Sequence, residues 1–441
     1  MTEKIVAIDL GTSHLTGIVG EKQLDGKFSI LAYDTEDSTS SIRRGNVYNR
    51  EYMTSHIKSL ISKLESRLNG AWIEKVYVGV GGQSLRTIEH NESKEIDEVV
   101  TPDDVKELQR RCEMYIPGLL DVLDVVPPIF YLDGRRELKP ESVACNHLEA
   151  RYKLVVGRPS IRRDLLISIQ GTPKEVAGII VSPLSLADAM LSREEKELGC
   201  ALVDFGAGVT TITIYKNGEL LNLSVLPVGG NLITRDITTL QITEAEAETL
   251  KKKHGSAIIR KEEDGEKVPI ERENLTKEIE LNDLNAIVEA RITEIVENVA
   301  VRIKEVIEPK SLGNGIVLAG CAANLKNLPE LLKDKCKINV RFSAIRSGLV
   351  RGNDDIIGNP LYMTAVSIML KGTEQCVNMP FMEQISADIE EESVRTKKKT
   401  KKTRSLEEQK EPDIFDQWKK QKEPGIFDQW KNKINGMFAD V

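Results

Sequence analysis

Hydrophobic positions along this chain follow two different spacings. The apolar runs KIVAIDL at residues 4–10 and ALVDF at 201–205 have the length of buried strands. Residues 51–68 instead place Met53, Ile57, Leu60, Ile61, Leu64 and Leu68 at helical spacing. Residues 284–308 read as one long amphipathic helix stopped by Pro309, and the polar, turn-rich stretch 256–283 as a lobe edge with short strands of its own. This mixture predicts an α/β architecture.

The pattern changes near residue 383. Residues 383–411 hold Glu390–Glu392 and then the basic run Lys397–Arg404, with almost nothing to bury, and read as an extended linker. Beyond it, residues 426–441 are traced at ~100° per residue. Ile426, Phe427, Trp430, Ile434, Met437, Phe438 and Val441 then fall within an arc of about 120°, with Lys431 and Lys433 at its borders. An aromatic stripe with basic flanks is the pattern of a helix lying in a membrane interface. A helix packed on the body or on a partner protein would carry the same stripe; the polar tether argues against the body, and the membrane is the favoured reading. EPDIFDQWKK at 411–420 returns as EPGIFDQWKN at 423–432. The first copy forms a shorter stripe of Ile414, Phe415 and Trp418, and Pro424 interrupts a continuous helix. Two weak anchors on one tether reinforce each other through effective concentration. The Lys397–Arg404 run either adds attraction to anionic lipid or only solubilises the linker.

Composition narrows the class. With 441 residues, 40% hydrophobic and 29% charged, the chain has the material for about three globular domains. No run approaches the ~18 apolar residues of a membrane span, and MTEKIVAIDLG lacks the order of a signal peptide, so a protein that is not secreted is expected. Six cysteines without CxxC spacing fit a reducing cytoplasm rather than a disulfide or zinc framework. The net charge of −8 argues against nucleic acid as a partner.

The candidate chemistry lies in two matching turns. One strand ends in Asp9-Leu10-Gly11-Thr12-Ser13 and the other in Asp204-Phe205-Gly206-Ala207-Gly208. In each, Gly stands two residues after Asp and Thr seven after it (Thr16 and Thr211), before another apolar strand. Glycine lets such a turn bring backbone N–H groups close to a phosphate. Hydroxyls such as Thr12 and Ser13 add donors, and the strand-end Asp9 and Asp204 suit magnesium held through water. A single copy reads better as a tight turn between two strands. Two copies 195 residues apart point to two similar lobes gripping one polyphosphate. In GIVLAGCAANLKNL (315–328) a strand runs into Gly320 and small residues ahead of a helix, a place where a base or ribose can lie on backbone.

On these residues the chain resembles the actin-like ATPase superfamily and, within it, the FtsA family of bacterial division proteins. The turns correspond to the superfamily's two phosphate motifs and Gly320 to its adenosine motif. The segments IRRGNVYN (42–49), VLPVGGNLITRDI (225–237), AEAETLKKKHGSA (245–257) and VEARITEIVE (288–297) resemble FtsA in particular, in an order that holds over about residues 4–375. The resemblance implies a two-lobed actin-like (duplicated ribonuclease H-like) ATPase fold with an FtsA-type inserted subdomain and a C-terminal amphipathic helix on a disordered tether. It divides the chain into a first lobe (1–83 and 166–197) carrying an inserted subdomain (84–165), and a second lobe core (198–245 and 314–382) carrying an outer subdomain (246–313). The linker (383–411) and the amphipathic segment (412–441) follow. Within 84–165, Thr101-Pro102-Asp103-Asp104 reads as a capped helix start, and Pro127-Pro128 and Asp133-Gly134 as turns.

By the same resemblance ATP and magnesium are the expected cofactors. Asp9, Gly11, Thr12, Ser13, Asp204, Gly206 and Gly208 meet phosphates and metal. Gly229, Gly230 and Asn231 line the cleft, and Glu248 and Lys251 reach the ribose or adenine. Two positions depart from the pattern: Cys321 and Ala207 stand where glycine is usual. Arg291 and Glu294 match an RxxE pattern that binds the FtsZ C-terminal tail, although an ordinary ion pair on a helix surface has the same spacing. Further implied partners are other copies of the chain, anionic membrane lipids and other divisome proteins, at the cytoplasmic face of the membrane. ATP would act mainly as a structural ligand, with slow hydrolysis at most. Two alternatives share the superfamily: a pilus-assembly adaptor and a small-molecule kinase.

Overall fold

The computed structural model describes residues 3–260, 265–272, 275–352 and 354–378. The expectations for the linker and for the amphipathic segment with its stripe residues lie outside them.

Two sheets built on one plan organise the body. In the first, Phe28–Asp37, His14–Lys22 and Glu3–Leu10 form an antiparallel meander, and Lys75–Val80 and Glu175–Val181 continue it in parallel. The second repeats this order with Glu219–Leu226, Thr210–Lys216, Cys200–Phe205, Ile316–Ala319 and Val340–Phe342. Each meander turns at one of the glycine turns, so the paired motif in the sequence marks a duplicated lobe.

Helices cover the sheets where the apolar period predicts them. Arg50–Glu65 buries Met53, Ile57, Leu60, Ile61 and Leu64 on the first lobe, with Asn49 capping its start. Leu281–Val306 buries one face in the second lobe's core, and the polar stretch before it folds into the hairpin Lys267–Arg272/Leu275–Glu280.

The inserted subdomain extends the second sheet: Arg86–Glu95 pairs with Glu219–Leu226 at Arg86 and Ser224, His147–Gly157, Asp121–Leu132 and Arg135–Glu137 follow, and the helix Pro102–Glu113 packs on Arg86–Glu95. Thr101 and Asp104 form a reciprocal capping box at that helix's start. Asp133 and Gly134, both at positive φ, make the two-residue turn expected there. Pro127-Pro128 does not turn. The pair lies inside the strand Asp121–Leu132, where the register with His147–Gly157 shifts. Proline has no N–H for the ladder, and a bulge tolerates that loss.

Elements of the fold run across several of the expected boundaries. Residues 165/166 fall inside the helix Ser160–Gln170, which packs whole on Arg50–Glu65 of the first lobe. Residues 245/246 fall inside the helix Glu244–His254. The chain also returns to the first lobe near its end. Val350–Arg351 pairs with the strand Phe28–Asp37, Val377–Asn378 pairs with Trp72–Ile73, and the helix Pro360–Met369 packs on Glu3–Leu10. That helix is apolar nearly all round, so it has to be buried, but its sequence does not say against which sheet. Among the described residues no helix is long and apolar enough to cross a membrane.

Candidate functional site

The two turns have the same local geometry. Asp9 pairs with Thr16 and Asp204 with Thr211, so the Asp–Thr interval of seven is one cross-strand pair in each ladder. The first glycine of each turn packs on the carbonyl of the turn's fourth residue. A Cβ at Gly11 would lie 2.5 Å from His14 O, and one at Gly206 would lie 2.9 Å from Val209 O. A side chain fits at neither.

The turns also meet. A Cβ at Gly208 would lie 2.6 Å from Thr12 Oγ1 and 2.7 Å from Thr12 Cγ2. Thr12 Oγ1 accepts the N–H of Gly45 at 3.0 Å, the Ser38 hydroxyl donates to Gly11 O at 2.7 Å, and the Ser13 hydroxyl lies 3.1 Å from His14 Nδ1. The segment 42–49, singled out from sequence, thus braces the first turn.

Asp9 and Asp204 face each other across this junction. Burial, then repulsion from Asp204, pushes the Asp9 carboxyl up to about 7. Burial alone lifts Asp204 to about 6. Neither forms an ion pair among the described residues. Two repelling carboxyls without a counter-charge, beside small hydroxyls and half-buried turn backbone, fit a hard divalent cation such as magnesium held through water.

Gly320 ends the strand Ile316–Ala319, which runs parallel to Cys200–Phe205 with Ala319 opposite Asp204. Its φ is +85°, and a Cβ there would lie 2.3 Å from Asp204 Oδ1 and 2.4 Å from Phe205 O. The next residue, Cys321, is exposed. The first position of this motif therefore requires glycine, while the second has room for a side chain.

Gly229, Gly230 and Asn231 open the helix Gly230–Ile237 against the second turn. The N–H groups of Gly230 and Asn231 donate to Gly206 O at 3.0 Å and Ala207 O at 2.8 Å. These residues hold the turn in place. Lys251 Nζ donates to Gly230 O at 3.1 Å, to Thr234 Oγ1 at 2.8 Å and to Glu248 Oε2 at 2.5 Å. Burial pulls the Lys251 ammonium below the usual lysine range. Burial works the other way on Glu248, but hydrogen bonds from Lys251 and Thr234 hold its carboxyl low. The two residues are thus brought beside the Gly320 turn and pair with each other.

Arg291 and Glu294 lie apart from this cleft on the helix Leu281–Val306. Arg291 Nε donates to Asp236 Oδ2, and the guanidinium also pairs with Glu294. Sequence reasoning missed Asp236, Thr234 and Ser182. The Ser182 hydroxyl donates to Asp9 Oδ1 at 3.4 Å. Its signal was a strand end of the same kind, the apolar run EVAGIIV (175–181) stopping just before Ser182-Pro183.

Comparison with known proteins follows the same residues. Residues 201–367 match the family model described as cell division protein FtsA. The chain is 32% identical to cell division protein FtsA of Porphyromonas gingivalis, covering 84% of this chain and 78% of that one. It is 30% identical to FtsA of Bacillus subtilis, covering 83% of each. For FtsA of Escherichia coli K12 the identity is 26%, over 85% and 91%. Among solved structures, a chain of the PilM–PilN type IV pilus biogenesis complex superposes with a TM-score of 0.61 at 16% identity, covering 84% of this chain and 98% of that one. That likeness is one of fold.

Proposed function

The chain belongs to the FtsA family of cell division proteins, and on that premise we propose that it is a Mg-ATP-binding, actin-like filament protein that ties an FtsZ ring to the cytoplasmic membrane. The contact between the two phosphate turns, with Asp9 and Asp204 behind it, carries the nucleotide reading. One polyphosphate bound there touches both lobes and favours one lobe arrangement, which gives ATP a means of controlling assembly with copies of the same chain. Asp9 and Asp204 would hold a magnesium ion, which would supply positive charge against the phosphates, and Thr12, Ser13 and the turn N–H groups would bind phosphate oxygens. The outer subdomain takes the FtsZ tail, the terminal stripe takes anionic lipid, and other divisome proteins join the assembly at the cytoplasmic face. ATP acts mainly as a structural ligand, with slow hydrolysis at most. The pilus protein shares the fold, but no pilus role follows from that.

Two measurements test the adaptor reading. Arg291→Glu sets a third carboxylate beside Asp236 and Glu294. FtsZ-tail capture in a pull-down falls at least tenfold while ATP affinity stays within twofold; unchanged capture moves the tail site elsewhere.

The second concerns the membrane foot. Burying one aromatic side chain contributes several kcal/mol, from ~25 cal/mol per Å² and roughly 150–250 Å² each. Trp430→Glu puts a charge in the longer stripe and removes most co-sedimentation with anionic vesicles. Trp418→Glu, in the shorter copy, has a smaller effect, and the double variant loses binding altogether. Full retention in all three makes the stripe a protein-binding surface.

A further inference from the structure

The geometry points to Ser182 as a positioning residue that aims the Asp9 carboxylate at the metal, a role that rests on the Mg-ATP reading above. Ser182 begins the helix Ser182–Met190, directly after the strand Glu175–Val181. It is 8% exposed, and its hydroxyl donates to Asp9 Oδ1 at 3.4 Å. The other oxygen, Oδ2, faces the first phosphate turn, 3.9 Å from where a Cβ on Gly11 would sit. One oxygen is thus tied to the body of the lobe, and the other lies beside the turn.

A second observation supports the placement. The intervening strand carries Gly79, and a Cβ there would lie 2.4 Å from Ser182 Oγ and 2.3 Å from Ile368 Cδ1. This glycine has ordinary backbone geometry, so its place in the strand reflects the lack of room for a side chain beside the hydroxyl and Ile368. Behind Ser182, the Ser185 hydroxyl donates to Ser182 O at 2.9 Å and lies 2.9 Å from the Ser367 hydroxyl. Ser185 and Ser367 are 1% and 0% exposed. A buried serine column therefore runs from the helix Pro360–Met369 to Asp9. Buried hydroxyls persist where they are hydrogen-bonded, and the outermost of these bonds to the carboxylate.

A metal held through water depends on which carboxylate oxygen faces it, and the partner of the opposite oxygen decides that. Ser182→Ala frees Oδ1 while leaving the charge of Asp9 and the fold of the helix in place. ATP binding to the full chain is measured with magnesium and with EDTA, for the wild type, Ser182→Ala and Ser185→Ala. Ser182→Ala loses about three- to tenfold of the affinity that magnesium adds, the worth of one net hydrogen bond, and binds ATP in EDTA within twofold of the wild type. Ser185→Ala, one turn further along the helix, lowers the melting temperature but keeps the magnesium gain. Gly79→Ala, which displaces the hydroxyl without removing it, reproduces the Ser182→Ala loss. A Ser182→Ala protein with the full magnesium gain overturns the inference. So does equal weakening with and without metal, because that is a structural effect only. If the wild type gains nothing from magnesium, the Mg-ATP reading itself fails, and the role of Ser182 with it.

Discussion

Asp204→Asn abolishes the magnesium dependence of ATP binding and makes the nucleotide-free protein more stable above neutral pH. Asparagine keeps the size of the side chain, so the turn and the close approach of Gly320 are preserved. The lost charge weakens the hold on the magnesium that would offset the phosphates, and Mg-ATP affinity falls at least tenfold. The effect on stability has the opposite sign. Burial raises Asp204 from 3.8 to about 6, and burial with the Asp204 charge raises Asp9 to about 7. A carboxyl whose folded pKa is raised contributes stability that is fully present below its unfolded value and is lost as pH rises through the folded one. For this pair the loss runs from about pH 4 to about pH 7. A tenfold change in a group's acidity corresponds to ~1.4 kcal/mol, so removing one charge restores roughly 1–3 kcal/mol at pH 8 and little at pH 4. Denaturation midpoints at the two pH values check the sign. Wild-type Mg-ATP affinity in the variant would show that the cleft is misplaced.

Gly320→Ala destabilises the protein by about 3 kcal/mol or more and removes ATP binding with it. A side chain at φ +85° and ψ 155°, a region kept almost entirely to glycine, costs about 1–3 kcal/mol in backbone strain. The added Cβ also meets the Phe205 carbonyl and the Asp204 carboxylate at under 2.5 Å. Backbone must move to relieve that overlap, which adds about 1–3 kcal/mol. The neighbouring substitution Cys321→Gly, which restores the paired glycines usual in this motif, changes stability by less than about 1 kcal/mol because that side chain is exposed. Denaturant midpoints of the two variants separate the positions. Equal effects would mean that the strand end is not held by these contacts.

Much of the fold was legible because its signals are local. Apolar runs of strand length and helical spacing placed Glu3–Leu10, Cys200–Phe205, Arg50–Glu65 and Leu281–Val306 within a few residues. Thr101 and Asp104 announced a helix start, and they satisfy each other's backbone there. The repeated Asp-x-Gly with Thr seven residues on located both glycine turns, because the interval is one rung of an antiparallel ladder. Pro127-Pro128 misled for the same local reason: the residues mark a break in pairing, and only the neighbouring strands decide whether it becomes a turn or a bulge.

What the tertiary structure alone decided lies at long separation along the chain. The meeting of Thr12 with Gly208, the mutual repulsion of Asp9 and Asp204, and the bond from Ser182 to Asp9 each join residues more than 170 positions apart. The return of Pro360–Met369 to the first sheet spans most of the body, and even the grip of Asp236 on Arg291 crosses 55 positions. By itself the sequence determined which segments become strands, turns and helices, and which residues sit at their ends. Apolar faces attract without direction, so their pattern requires burial but does not name the surface that provides it. Shape complementarity between the finished elements makes that choice, and it exists only once the lobes have packed.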